Sequence, residues 1–256
     1  MRLCCLKLSD IVNPIEIHHL PKNLHFYDFN MKDFVVSVRK LTDVELMREA
    51  CEMTFLGTSK QSLLSIYKAE HSPVRTQLFW VTAKQIPLFI ATHLLRHHVG
   101  SVPFQLTCRN DRQGGNPGLI DKLNTVISQL KGEITESTLE TAIGELEWLQ
   151  ENSDRYTPVN LGLLVNAQSL IDMSKLRLCT GQAHRETVAV FEKIKQAISE
   201  VDPDLACMMV RKCVYRGGIC GEPRCCGFNH SPKFQQEMTE YLRYFSDKQI
   251  GCYIKD

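Results

Sequence analysis

The spacing of apolar residues along this chain changes period several times, and each change predicts an element. Phe34-Val-Val-Ser-Val38 is β-prone, and residues 1 to 40 alternate such short runs with turn residues, which reads as one or two strands and a loop. From Thr42 the spacing becomes helical: Thr42-Asp-Val-Glu45 has the form of a capping box, and Leu46, Ala50 and Met53 follow at helical intervals. A second helix is expected over Lys60 to Ala69. Leu78-Phe-Trp-Val-Thr82 is aromatic and β-branched and predicts a strand. Ile86-Pro87 then opens a helix with proline in the first turn, where its missing N–H costs little, and this helix is expected to run to His98 and stop at Gly100. Val102 to Cys108 is extended but broken by Pro103, so it reads as an edge strand or an irregular one.

Beyond it the pattern loosens. Residues 110 to 120, containing NDRQGGNPGL, predict a loop, and residues 121 to 150 predict two polar amphipathic helices. Leu139, Ile143, Leu146 and Leu149 share one face of the second, and residues 113 to 153 read as a peripheral helical insertion. Two long helices are expected over 160 to 178 and 184 to 200, then a cysteine-rich tail and a final helix from Lys233 to Phe245. The pattern mixes strands with long helices and ends in a Cys-rich extension over 207–256.

Composition narrows the partners. The chain has 256 residues, 43% of them apolar, enough for a substantial core in one large domain or two small ones. Thirty basic against 29 acidic residues leave a formal charge of +1, which argues against holding long nucleic acid by bulk electrostatics. MRLCCLKLSDIVNP lacks a signal peptide's apolar stretch and cleavage site. IPLFIATHLL is far short of the roughly 20 apolar residues of a membrane helix. The expectation is a soluble, cytoplasmic protein whose 11 cysteines are mostly reduced.

The candidate chemistry gathers in LLRHHVGSVPFQLTCRNDR, residues 94 to 112. His93, Arg96 and His97 stand at i, i+3 and i+4 on one helix face, beside an apolar stripe of Leu88, Ala91 and Leu95. Arg109 and Arg112 return after the extended segment. Arginine offers a planar fork of donors suited to phosphate, and several converging on one spot repel one another without an anion between them. Farther on, Asn166 and Arg177 lie 11 residues apart, near three turns, and so would share a face of the predicted helix. Cations near a helix C-terminus also suit the macrodipole, so each arginine alone has a purely structural reading.

These residues resemble a known family, the flavin-dependent thymidylate synthases. The family signature, Arg-His-Arg followed by an Ala-Ser turn, Asn-Glu, Ser and Arg-Tyr, is matched by Arg96-His97-His98-Val99-Gly100-Ser101 and then Gln105, Thr107 and Arg109. Glu70-His71-Ser72-Pro73 is similar to the segment that precedes it in the family. Arg155 with Pro158-Val-Asn160, Asn166-Ala-Gln-Ser-Leu170, Leu176-Arg177, Gln182-Ala183 and Arg185-Glu186 resemble the runs that follow, in the same order, so the likeness spans residues 40 to 200. It departs at His98, where the family has Arg, and at Pro103-Phe104, where it has Asn-Glu. An extra residue precedes Arg109, Thr107 stands in place of Ser, and Asp172 in place of Asn.

The resemblance implies an α/β (α+β), flavin-dependent thymidylate synthase-like fold, a sheet flanked by long helices, as a main domain over 1–206 beside the Cys-rich extension, together with a homotetramer and C5-methylation of dUMP to dTMP. FAD would be the cofactor, with NADPH and methylenetetrahydrofolate as co-substrates. By carry-over, Ser72, Arg75, Arg96, His97, His98, Ser101, Asn166 and Arg177 would face FAD. His93, Gln105, Thr107, Arg109, Arg155 and Arg177 would surround the nucleotide, with Arg177 and Arg109 catalytic. The departures leave two alternatives: a methylase or hydroxymethylase for another pyrimidine nucleotide, or a non-catalytic nucleotide-binding homologue whose tail recruits a partner.

The tail falls outside that likeness. Cys207, Cys213, Cys220, Cys225 and Cys226 are separated by five, six, four and zero residues, and His230 follows. Zinc takes four N or S ligands, usually from close cysteine pairs, and no standard finger has these spacings. The expectation is either a structural zinc site on Cys213, Cys220, Cys225 and Cys226 (or His230), an iron–sulfur cluster, or unligated thiols in a turn-rich tail.

Overall fold

The computed structural model describes residues 34–54, 57–106, 117–132, 135–151, 157–246 and 249–250, with side chains at 117–123 and 148–151 left out. All of them belong to the compact unit Met31–Asp256.

Strand β1 (Val35–Lys40) leads through Thr42 into α1 (Val44–Glu52). The cap of α1 is Asp43, whose carboxylate accepts from Leu46 N–H at 3.0 Å, so Thr42 does not open a capping box. Thr42 instead donates to Thr76 O and accepts from Leu78 N–H, tying the turn to the next strand. Helix α2 (Leu63–Ala69) and a 3-10 turn (Ser72–Thr76) precede β2 (Leu78–Pro87), which runs five residues beyond the aromatic stretch that announced it. Helix α3 (Leu88–Leu95) is shorter than expected: Arg96 caps it, and residues 97–100 form a loop. The loop leads to β3 (Ser101–Gln105).

The main correction concerns residues 158 to 166. They form β4 (Pro158–Asn166), and the helix α6 (Ala167–Arg177) begins only after Asn166. The run Leu161-Gly-Leu-Leu-Val165 suits either element by composition. Its buried side chains, Val159, Leu161, Leu163 and Val165, are two apart, as a half-buried strand requires; Gly162 between them is buried under Trp80. The sheet is antiparallel throughout, in the order β1-β2-β4-β3. A bulge between Ala83 and Ile86 holds Gln85 at φ 59°, and its N–H donates to Asn160 Oδ1 at 3.2 Å.

Two helices, α4 (Pro117–Lys131) and α5 (Glu136–Glu151), fill the predicted insertion. Val126 and Ala142 are buried, while Leu139, Ile143 and Leu146 are each 47% exposed, so much of the apolar face of α5 is open in the single chain. After α6 come α7 (Arg185–Val201), α8 (Pro203–Met208), α9 (Lys212–Tyr215), a 3-10 turn (Phe228–His230) and α10 (Pro232–Leu242).

The main core joins Phe79, Val81, Leu163 and Val165 of the sheet to Leu170 and Ile171 of α6 and Phe191, Ile194 and Ile198 of α7. Each such side chain contributes about 1.5–3 kcal/mol when fully buried. Asp202 is 2% exposed and fully used: it accepts from Lys40 Nζ and Tyr67 OH, both at 2.7 Å, and caps α8 at Leu205 N–H. A satellite cluster of Val210, Val214, Phe234 and Met238 organises the tail. Beside it Arg211, 3% exposed, donates to Glu192, Glu237 and Leu178 O. Among the described residues, no helix is long and apolar enough to cross a membrane.

Candidate functional site

Helix α3 turns Phe89, Ile90, Ala91 and Leu94 into the core and leaves Thr92, His93 and Arg96 outward. With Leu88 and Phe89 they line an open cleft of about 250 Å³. His93 Nδ1 lies 3.2 Å from Thr187 Oγ1, and its ring meets Phe89 edge-on at 5.7 Å. Phe89 makes the same kind of contact with His184 at 5.3 Å. These partners fix the imidazole on the cleft wall.

Arg96 begins the loop that joins the two halves of the site. Arg177 Nε donates to His97 Nε2 at 2.8 Å. His97 therefore accepts at Nε2 and carries its proton on Nδ1. Burial, then the Arg177 charge, pulls the His97 pKa down to about 4. Burial and the Arg96 charge likewise push Arg177 below its ordinary value. Asp172 acts on His97 in the opposite sense, but its carboxylate is bonded to Lys175. The exposed Arg96 guanidinium, the half-buried Arg177 guanidinium and a neutral imidazole thus form a place that favours an added negative charge. His98, exposed, has Nδ1 3.2 Å from Arg96 O.

The rest of the loop lies against the start of α6. Ser169 Oγ donates to Val99 O at 2.6 Å, and Asn166 N–H donates to Gly100 O at 2.9 Å. Gly100 has φ 70°, and a Cβ there would lie 2.2 Å from Asn166 Nδ2, so glycine is required. Asn166 does not share a helix face with Arg177. It is the N-cap of α6, accepting from Ser169 N–H at 2.9 Å, while Arg177 ends the same helix. The two residues sit at opposite ends of α6, and the 97–100 loop bridges those ends.

Ser72 and Arg75 are exposed on the 3-10 turn, which Glu70 ties to α6: its Oε2 accepts from Gln168 Nε2 at 2.7 Å and Lys175 Nζ at 3.1 Å. Ser101 is buried at the start of β3. Gln105, at its end, has a buried Oε1 with no hydrogen-bond partner among the described residues. Phe104 is 55% exposed and meets Trp80 at 5.5 Å, so an aromatic surface stands where the resemblance placed an amide and a carboxylate. Thr107, Arg109, Arg112 and Arg155 lie outside the described residues.

In the tail, Cys213, Cys220, Cys225 and Cys226 line one small cleft, and Cys179, from the turn after α6, joins them. His230 is not among the lining residues. As their side chains stand, no group of three or more His, Cys, Asp or Glu among the described residues is arranged to hold a metal ion. Sequence reasoning missed Cys179, the Ser169 clamp, and the Glu70–Lys175 pair. None of these has a local signal, because each finds its partner across the fold.

Fold and site together define a mixed helix and sheet protein, with an antiparallel four-stranded sheet, an open cleft along α3, and an arginine–histidine pair that joins the 97–100 loop to the end of α6. No family model and no curated protein sequence matches the chain. Solved structures similar to it include the UMP/dUMP methylase PolB from Streptomyces cacaoi. Bound with 5-Br dUMP, it is 17% identical, covers 69% of this chain and 94% of its own, and has a TM-score of 0.43. Bound with 5-Br UMP the values are 16%, 69%, 93% and 0.44. Thymidylate Synthase X from Helicobacter pylori with FAD and dUMP is 12% identical, with 67% of this chain and 99% of that chain covered and a TM-score of 0.42.

Proposed function

We propose that the chain is a flavin-dependent methyltransferase acting at C5 of a pyrimidine nucleotide, and that Arg96, His97 and Arg177 hold a phosphate group of the flavin or the nucleotide. The observation that carries this is the Arg177–His97 hydrogen bond at 2.8 Å beside Arg96, a donor set suited to an anion. That set fits the diphosphate of FAD. Ser72, Arg75, His98, Ser101 and Asn166 complete the proposed flavin side, and His93, Gln105, Thr107, Arg109 and Arg155 the nucleotide side.

FAD, when bound, supplies the redox and one-carbon transfer chemistry, drawing on NADPH and methylenetetrahydrofolate. The chain's own residues bind and orient. The arginines neutralise phosphate charge and fix the nucleotide. Arg109 or Arg177 beside the pyrimidine would favour a negative N3 and so raise electron density at C5. Gln105 Oε1, buried without a partner among the described residues, offers a ligand N–H an acceptor. In this reading the chain works as a homotetramer, with the open face of α5 available for subunit contact.

The aromatic pair Trp80–Phe104 favours, as a second reading, a pyrimidine nucleotide other than dUMP, or hydroxymethylation in place of methylation. Anaerobic incubation with NADPH, methylenetetrahydrofolate and dUMP, UMP or dCMP, followed by mass analysis, separates these outcomes. The methyltransferase reading expects a yellow protein, flavin bleaching by NADPH, and one methylated nucleotide. A colourless protein that takes up no FAD and converts none of the three would overturn it.

A further inference from the structure

We propose that Cys179, Cys213, Cys220 and Cys226 bind a single zinc ion that staples the C-terminal end of α6 to the cysteine-rich tail. The inference stands independently of the methyltransferase reading.

Three separate segments bring thiols to this cleft: the turn after α6, helix α9, and the loop from Ile219 to Gly227. Each cysteine is a free thiol. The backbone is shaped for the convergence. Gly217 and Gly218 take φ 62° and 97°, turning the chain after α9, and Gly218 N–H donates to Cys213 O at 2.7 Å. Asn229 Nδ2 then holds Gly218 O at 3.0 Å, closing the loop on itself. Gly181 is closely approached: a Cβ there would lie 3.0 Å from Cys226 Cβ and 3.2 Å from its sulfur. Cys179 Sγ is 4.0 Å from the same point, so these two thiols, 47 positions apart in the sequence, approach one another over a glycine.

Cys225 is set aside by its own bonds. Its sulfur accepts from Gly227 N–H at 3.4 Å and donates to Asn229 Oδ1 at 3.3 Å; ligation would forfeit the second bond, so the tetrahedron is assigned to the other four thiols. The cavity measures about 20 Å³, room for one water-sized occupant, and so suits one ion better than a multi-iron cluster. Its walls also carry the Arg211 guanidinium and the Lys212 ammonium, the latter bonded to Glu222 at 2.8 Å. Both cations are already paired, Arg211 with Glu192 and Glu237 and Lys212 with Glu222, so they tie the segments around the cleft together rather than counter the charge of a metal–thiolate centre. Binding deprotonates the four thiols, releases their protons to solvent, and draws the sulfurs to about 2.3 Å from the metal by side-chain rotation.

The test uses the full chain, purified without a histidine tag under reductant, with metal content read by mass spectrometry. The expected result is about one zinc per chain. Cys179→Ser and Cys226→Ser should each lose most of it, whereas Cys225→Ser retains it. Since Cys179→Ser could also impair folding, the wild type gives a second readout: chelator release of zinc should expose about four additional thiols to a thiol reagent. Absence of zinc together with failure to take up added Zn(II) would overturn the proposal. So would iron with acid-labile sulfide, a disulfide among these cysteines in the purified protein, or full zinc retention in a folded Cys179→Ser.

Discussion

His97 is the residue whose behaviour is most tightly specified by its surroundings. Its folded pKa of about 4 lies below the unfolded value, so between the two the unfolded chain holds the extra proton. Stability should therefore fall as pH drops from about 6.5 toward 4, by around 1 kcal/mol after solvent screening of this half-buried pair. Denaturant titrations of wild type and His97→Gln across that range check this; the variant should lose that part of the pH dependence. A bound anion reverses the local balance, so inorganic phosphate should raise the His97 pKa in an NMR titration, and an unmoved pKa would count against an anion site here. Gly100→Ala puts a Cβ against Asn166 in a left-handed conformation and should cost about 2 kcal/mol or more, read as a lower Tm. The cations of this loop were legible in the sequence as a local cluster. The resemblance grouped His97 with Arg177 on one ligand, but their direct hydrogen bond was not legible, because 80 residues separate them and only the folded 97–100 loop brings His97 to the end of α6.

Periodicity identified most elements and misjudged one that matters. The strand β4 reads as the start of a long helix because Leu163 stands at helical spacing from Ala167, Leu170 and Ser174, and no proline or glycine breaks the passage from Leu163 into α6. Asn166 is the missed signal: a side chain suited to capping stands between a run with alternate buried positions and a helical one. The consequence is positional, since a strand delivers Asn166 to Gly100 and lets α6 run its length before Arg177. Capping at α1 gives a direct test at this scale. Asp43→Ala should remove about 1 kcal/mol of stability by exposing the first-turn N–H groups of α1. Thr42→Ala should act elsewhere, loosening the turn against β2, and its effect on α1 helicity should be the smaller of the two.

At the scale of the whole molecule, distant segments are joined by a few buried polar links. Asp202 gathers β1, α2 and α8 through Lys40, Tyr67 and Leu205. Asp202→Ala leaves the Lys40 ammonium without its partner and should destabilise the fold by about 3 kcal/mol, measured by chemical denaturation. Composition disclosed the cysteine-rich tail at once, but it could not disclose that Cys179 belongs to it, because that residue lies beyond the cluster in sequence. The outer face of the sheet carries a further consequence. Trp80 lies across Gly162, whose missing Cβ would meet the indole at 2.7 Å, and its other neighbour Phe104 sits on the edge strand β3. The chain has two tryptophans, so a Trp148→Phe variant would fluoresce from Trp80 alone. Its emission would report the packing of that edge strand, giving the molecule a built-in optical gauge of the sheet's margin.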